Sequence, residues 1–99
     1  MVNCTYPTAL TLSAMAAGHS YGFDIMDATG LPSGTVYPLL RRLERSGCVA
    51  GRWEDEQRAQ REGRPARRHY RLTAAGRALL ARSRARFANL EAGLRPQAV

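Results

Sequence analysis

Polar groups and arginines gather on one side of one stretch of this chain, and they are its residues best suited to chemistry. In SGTVYPLLRRLER, residues 33–45, Val36, Leu39, Leu40 and Leu43 recur at i, i+3, i+4 and i+7, one apolar stripe of a helix. At roughly 100° per residue, and counting from Val36, that stripe centres near about 350°. The opposite side carries Gly34, Pro38, Arg41 and Arg45, flanked by Tyr37 and Arg42. Gly34 leaves bare backbone where a partner can approach closely. Ser33, Thr35 and Tyr37 can donate hydrogen bonds to phosphates or base edges, and Arg41 can reach a guanine or a phosphate. The start of a helix adds unpaired amide donors and a partial positive charge that favour a phosphate. Ser33 is expected to be the N-cap. Pro38 then either bends the helix in its second turn or opens a helix that starts at Tyr37, and the sequence leaves both open.

A second group follows the acidic run Glu54 to Glu56: Arg64, Arg67 and Arg68, with Gly63-Arg64-Pro65 as the expected tip of a projecting loop. Arginine on such a loop suits a narrow minor groove of strongly negative potential. Metal and nucleophile chemistry find little support. His19, His69, Cys4 and Cys48 are scattered without ligand spacing, and no carboxylate pair or Ser/His/Asp grouping appears. His69 is expected on the exposed face of a strand, Cys48 as a small buried residue, and Trp53 as a core side chain. No cofactor is called for.

The charge supports a polyanionic partner. The net charge is +7, but residues 1–40 carry only Asp24 and Asp27, whereas all 15 basic residues, every one an arginine, fall after residue 40. No apolar run approaches the ~18 residues of a membrane span, and the start of the chain lacks the pattern of a signal peptide. A cytoplasmic protein with two free thiols is the expectation.

The elements that must position these groups follow from caps and periodicities. Residues 5–17 read as a first helix, with Thr5 or Tyr6 as cap and Gly18 as stop. Ser20 is expected to cap a second helix, with Tyr21, Ile25 and Ala28 on one face, stopped by Thr29-Gly30. The third helix ends at Ser46-Gly47. CVAGRWE (48–54) and RHYRLT (68–73) read as antiparallel strands, the second alternating Tyr70 and Leu72 with His69 and Arg71. Thr73 caps a last helix from about residue 74 to 92, in which Leu80, Phe87 and Leu94 recur every seven residues and Gly76, Ser83 and Leu90 fill the alternate positions. A partner chain is the simplest cover for that seam. Leu80, Phe87, Leu90 and Leu94 are therefore expected to form a homodimer; folding back onto the first helix is the other arrangement. The fold class is mainly α with a small β-hairpin. A winged helix-turn-helix occupies residues 1–73, and a C-terminal dimerisation helix and tail occupy 74–99.

GHSYGFDIMDATGLPSGTVYPLLRRLERSGCVAGRWE followed by GRPARRHYRLTAAGRALL resembles the PadR family of bacterial transcriptional regulators, over about residues 8–82. The resemblance implies a repressor that dimerises through C-terminal helices and binds an inverted repeat in double-stranded DNA, with no enzymatic activity. It implies that Tyr21 and Gly22 lie near backbone phosphates. Ser33, Gly34, Thr35, Tyr37 and Pro38 would belong to the recognition helix, and Gly63, Arg64 and Pro65 to the wing. With Arg41 and Arg67, these make the expected DNA surface. Ala74-Ala75 depart from the acidic residues common in the family, and the short C-terminal region matches the subgroup with a single C-terminal helix. Two other readings are a sensor whose DNA binding answers a small-molecule effector or metal at the dimer groove, and a winged-helix module that docks proteins. The second predicts little salt dependence of any nucleic-acid binding.

Overall fold

A computed structural model describes residues 5–94, with side chains described over 5–88. The order is α1 (Tyr6–Ala16), α2 (Gly22–Thr29), α3 (Ser33–Arg45), β1 (Val49–Trp53), α4 (Glu56–Arg61), β2 (Arg68–Leu72) and α5 (Ala74–Leu94). Local chemistry sets most of the boundaries. Thr5 accepts a hydrogen bond from the Thr8 amide and caps α1. At the end of α3, Gly47 takes φ +80° and the Cys48 amide reaches back to the Leu43 carbonyl at 2.9 Å, the αL closure that glycine permits. Thr73 caps α5 by accepting from the Gly76 amide at 3.2 Å.

β1 and β2 pair antiparallel from Val49↔Leu72 to Trp53↔Arg68. Tyr21 adds a single bridge to His69 on the free edge of β2, and the Tyr70 amide donates to the Ser20 carbonyl at 2.7 Å. The hairpin is thus tied to the start of α2. Leu12, Ile25, Val36, Leu39, Leu40, Leu43, Val49, Tyr70, Leu72, Leu79 and Leu80 fill one core. The α3 stripe is fully interior, as its periodicity requires. Gly76 is where α5 meets the rest of the domain: a Cβ there would stand 1.9 Å from the Cys48 carbonyl oxygen.

Several expectations need correction. Ser20 does not cap α2; Tyr21 holds that position with no side-chain capping bond, and Ala28 is exposed while Ile25 is buried. Ser33 is the first residue of α3, and Pro32 is the cap, its carbonyl accepting from Thr35 and Val36. The stretch between the strands is no bare loop. Asp55 caps α4 by accepting from the Gln57 amide, and Ala59 turns inward to 1% exposure. On α5, Leu80 and Ser83 are buried in the chain's own core, because α5 packs along α1. Leu80 is therefore unavailable to a partner chain. Phe87 sits half-buried with its ring edge-on to Tyr6, 5.4 Å between centroids. This is the fold-back arrangement for the first half of the seam. The side chains of Leu90 and Leu94, like Cys4, lie outside the described residues.

Candidate nucleic-acid interface

α3 presents its polar side outward. Ser33, Gly34, Tyr37, Arg41, Arg42 and Arg45 are exposed, and Thr35 and Pro38 are half-buried. The helix is continuous from Ser33, so Pro38 lies inside it rather than at its start. Its missing N–H leaves the Gly34 carbonyl without the usual i+4 donor, near the end offered to solvent. Among the described residues, no other element lies within 4 Å of the place a Gly34 Cβ would take, so packing against them does not require glycine there. Arg41 meets no acidic partner among the described residues, and its guanidinium stays available to an outside anion.

Gly22 has the opposite reason to be glycine. A Cβ at Gly22 would stand 2.4 Å from the Tyr37 ring. The bare first turn of α2 is the seat of that phenol. The two helices of the helix-turn-helix are thus fitted to one another at buried Gly22 as well as through Ile25 and the α3 stripe in the core.

The three wing arginines have three different settings. Arg64, expected at an exposed tip, is turned inward. Its guanidinium grips the Glu54 carboxylate with both terminal nitrogens, one contact at 2.8 Å, and meets Glu62 at 2.7 and 3.0 Å. The Glu54 side chain is only 7% exposed. The hydrogen bond from Arg64 holds the Glu54 carboxyl down at about 2, although its desolvation opposes that shift. The Arg64 guanidinium is held charged in return. Arg67 keeps its charge at the surface: its guanidinium lies 4.0 Å over the Tyr21 ring, and Glu54 is 3.7 Å away. Arg68 crosses to the recognition helix and pairs with Glu44, its guanidinium 5.4 Å from the Trp53 ring.

Two aromatic expectations fail. His69 is half-buried rather than exposed, its Nε2 2.6 Å from the Tyr21 hydroxyl and the rings 4.1 Å apart. Trp53 is 64% exposed rather than in the core. It ends β1 beyond the last core position, where the Arg68 guanidinium stands over its ring. Tyr21, Gly22, Phe23, Tyr37, Trp53, Ala66, Arg67, Arg68 and Tyr70 line one open cleft between α2, α3 and the hairpin. Tyr21, Tyr37 and Arg67 of the expected surface therefore come together. Ser33, Gly34 and Arg41 lie along α3 beside them, and Arg64 stands apart as an internal brace. Sequence reasoning missed Phe23, 74% exposed, and Glu54. The acidic run beside GRP is the signal that could have paired Glu54 with Arg64.

The model of the transcriptional regulator PadR-like family matches residues 11–82. The chain belongs to that family. No curated protein sequence matches it. Among solved structures, a PadR family transcription regulator from Clostridium difficile superposes with a TM-score of 0.76 at 22% identity, covering 91% of this chain and 95% of that one. Bordetella bronchiseptica BpsR, described for the regulation of its DNA binding by 6-hydroxynicotinic acid, gives 0.68 at 23% identity, covering 87% of this chain and 60% of its own length. A Staphylococcus aureus MepR variant bound to an oligodeoxyribonucleotide gives 0.66 at 26% identity, covering 96% of this chain and 66% of its own. The chain thus spans less than two-thirds of BpsR and MepR. Fold and family agree on a winged-helix, DNA-binding transcriptional regulator. Among the described residues no helix is long and apolar enough to cross a membrane.

Proposed function

We propose that this PadR-like chain is a repressor that binds an inverted-repeat operator as a homodimer and catalyses no reaction. The outward side of α3 carries this reading. Its four aliphatic residues are interior while Ser33, Gly34 and Tyr37 face solvent at the N-terminal end that a recognition helix gives to the major groove, with Arg41 and Arg45 further along the same side. Ser33 and Thr35 supply donors, Arg41 a fork for guanine or phosphate, and Gly34 with Pro38 a low surface over which the duplex backbone can pass. Arg67 supplies a half-exposed charge on the wing. Two such helices related by a two-fold axis would enter successive major grooves about 34–36 Å apart.

The second half of α5 is the proposed dimer surface. The helix has 21 residues, which at ~1.5 Å each is about 31 Å, more than this small domain covers. Leu90 and Leu94 continue the spacing beyond Phe87, and Tyr6, 47% exposed, stands beside Phe87 at the edge of the same surface. Leu80 is left out of this proposal.

Selection of fragments of the host genome by the full chain, followed by affinity measurements across salt on the recovered site, tests the reading. A palindromic site bound with a steep negative salt slope is expected. Recovery of no enriched sequence, or a monomer in light scattering at micromolar concentration, overturns the repressor and the dimer respectively.

A further inference from the structure

The aromatic cleft between α2, α3 and the wing is a surface that a DNA-binding domain does not need for folding. Trp53 and Phe23 are among the most exposed large hydrophobics described, at 64% and 74%, and Tyr37 beside them is 38% exposed. Burying such rings stabilises a domain, and leaving several of them in one open cleft forgoes that gain. The cleft is also charged in a particular way. Arg67, its side chain 45% exposed, stands on the Tyr21 ring with Glu54 3.7 Å away, and Arg68 is held between Glu44 and Trp53. Apolar rings edged by guanidinium groups complement a polymer that alternates apolar sugar faces with phosphates. Through Tyr37 the cleft is continuous with the outward side of α3, so a duplex lying on α3 would carry one strand across it.

We propose that this cleft seats one strand of the operator's sugar–phosphate backbone. Trp53 and Phe23 pack against deoxyribose rings and Arg67 pairs with the phosphate between them. Tyr37, propped on Gly22, forms the wall on the recognition-helix side. This inference rests on the DNA-binding reading and assigns Trp53 and Phe23 a role in it. The contact is made to the backbone, so it adds affinity without reading sequence.

Trp53 is the single tryptophan of the chain, so its emission reports the cleft directly. Titration of the full chain with its selected operator duplex is expected to quench and shift Trp53 emission in step with binding seen by anisotropy of labelled DNA. Trp53→Ala should weaken operator and random duplex alike by roughly tenfold, the order of one lost aromatic contact, with an unchanged salt slope. Trp53→Phe should recover most of the loss. Arg67→Ala should also act on both duplexes but lower the salt slope by about one. Trp53 is too exposed for its loss to unfold the domain, and a thermal melt of each variant checks this.

Binding by anisotropy with unchanged Trp53 emission and wild-type affinity for Trp53→Ala overturns the cleft assignment and leaves the DNA-binding reading standing. Loss on the operator alone overturns the backbone contact in favour of base readout. Quenching by a planar aromatic carboxylate that leaves duplex affinity unchanged, with no quenching by DNA, overturns it in favour of a small-molecule site. No binding of any duplex overturns both proposals.

Discussion

The recognition helix and the wing carry arginines of the same kind and hold them in opposite ways. On α3, Arg41 and Arg45 leave the helix on its exposed side, and the residues that fix their direction are the aliphatic ones beneath. In the wing, direction is set by ion pairs. Arg64 is locked to Glu54 and Glu62 and Arg68 to Glu44, while Arg67, more exposed than either, has Glu54 3.7 Å away. A helix buried along one stripe needs no further constraint to aim its outer side. A segment of 14 residues between two short strands has little core beneath it beyond Ala59, and it obtains a shape by pairing charges. Charged residues in the wing are therefore partly architecture, whereas on α3 Glu44 ties down Arg68 and Arg41 and Arg45 are left for an external partner.

Replacing Arg41 should have the largest effect on binding and the least on folding. Arg41→Ala is expected to weaken operator binding by about 1–3 kcal/mol if the guanidinium reads a guanine, with an unchanged melting temperature. Electrophoretic mobility shifts and calorimetry would check both halves. Arg64→Ala should show the reverse balance. It leaves the Glu54 carboxylate only the longer contacts with the Arg67 amide and guanidinium, so the melting temperature falls and amides of residues 54–67 exchange faster by hydrogen–deuterium exchange, while operator affinity drops only as the wing loses its shape. Wild-type exchange in the wing of Arg64→Ala would erase the contrast between the two arms.

A smaller effect of divided sign is expected at Gly34. Gly34→Ala meets no other element among the described residues, so helix propensity should raise stability by up to about 1 kcal/mol while the added methyl weakens DNA binding. Urea unfolding and operator titration on the same sample separate the two. Gain in both would mean that no partner approaches α3 at that point.

The smallest effect is one of pH. The Glu54 carboxyl is lowered from an ordinary 4.5 to about 2, chiefly by the hydrogen bond from Arg64. A group whose pKa is depressed in the folded state stabilises fully above its unfolded value, and that contribution disappears as pH falls through the folded value. The wild-type chain should therefore exceed Glu54→Gln in stability by a constant margin above about pH 4.5. The margin should shrink between 4.5 and 2. A gap that widens on acidification would contradict the direction of the shift.

Much of this was legible in one dimension. The α3 stripe, Gly47 as the αL stop, Thr73 as a cap and the alternation of Tyr70 and Leu72 all rest on contacts between residues a few positions apart, so composition and period suffice to place them. The direction of α3's polar side follows from the same period. The failures share a different property. Arg64 meets Glu54 ten residues away, Arg68 meets Glu44 at a separation of 24, and Tyr21 meets His69 at 48. Each pairing decides whether a charge or a ring faces water, and no local pattern carries it.

By itself, then, the sequence determined the order of elements, the buried side of α3, the concentration of positive charge after residue 40 and membership of a family. Tertiary structure alone decided which arginine of GRPARR braces the wing and which stays half-exposed, that Trp53 stands in an exposed cleft, that Leu80 belongs to the chain's own core, and that Gly22 seats Tyr37. The physical reason is one of range. Helical and strand periods record which side of an element is apolar, whereas the partner of a charged or aromatic group is set by how finished elements dock.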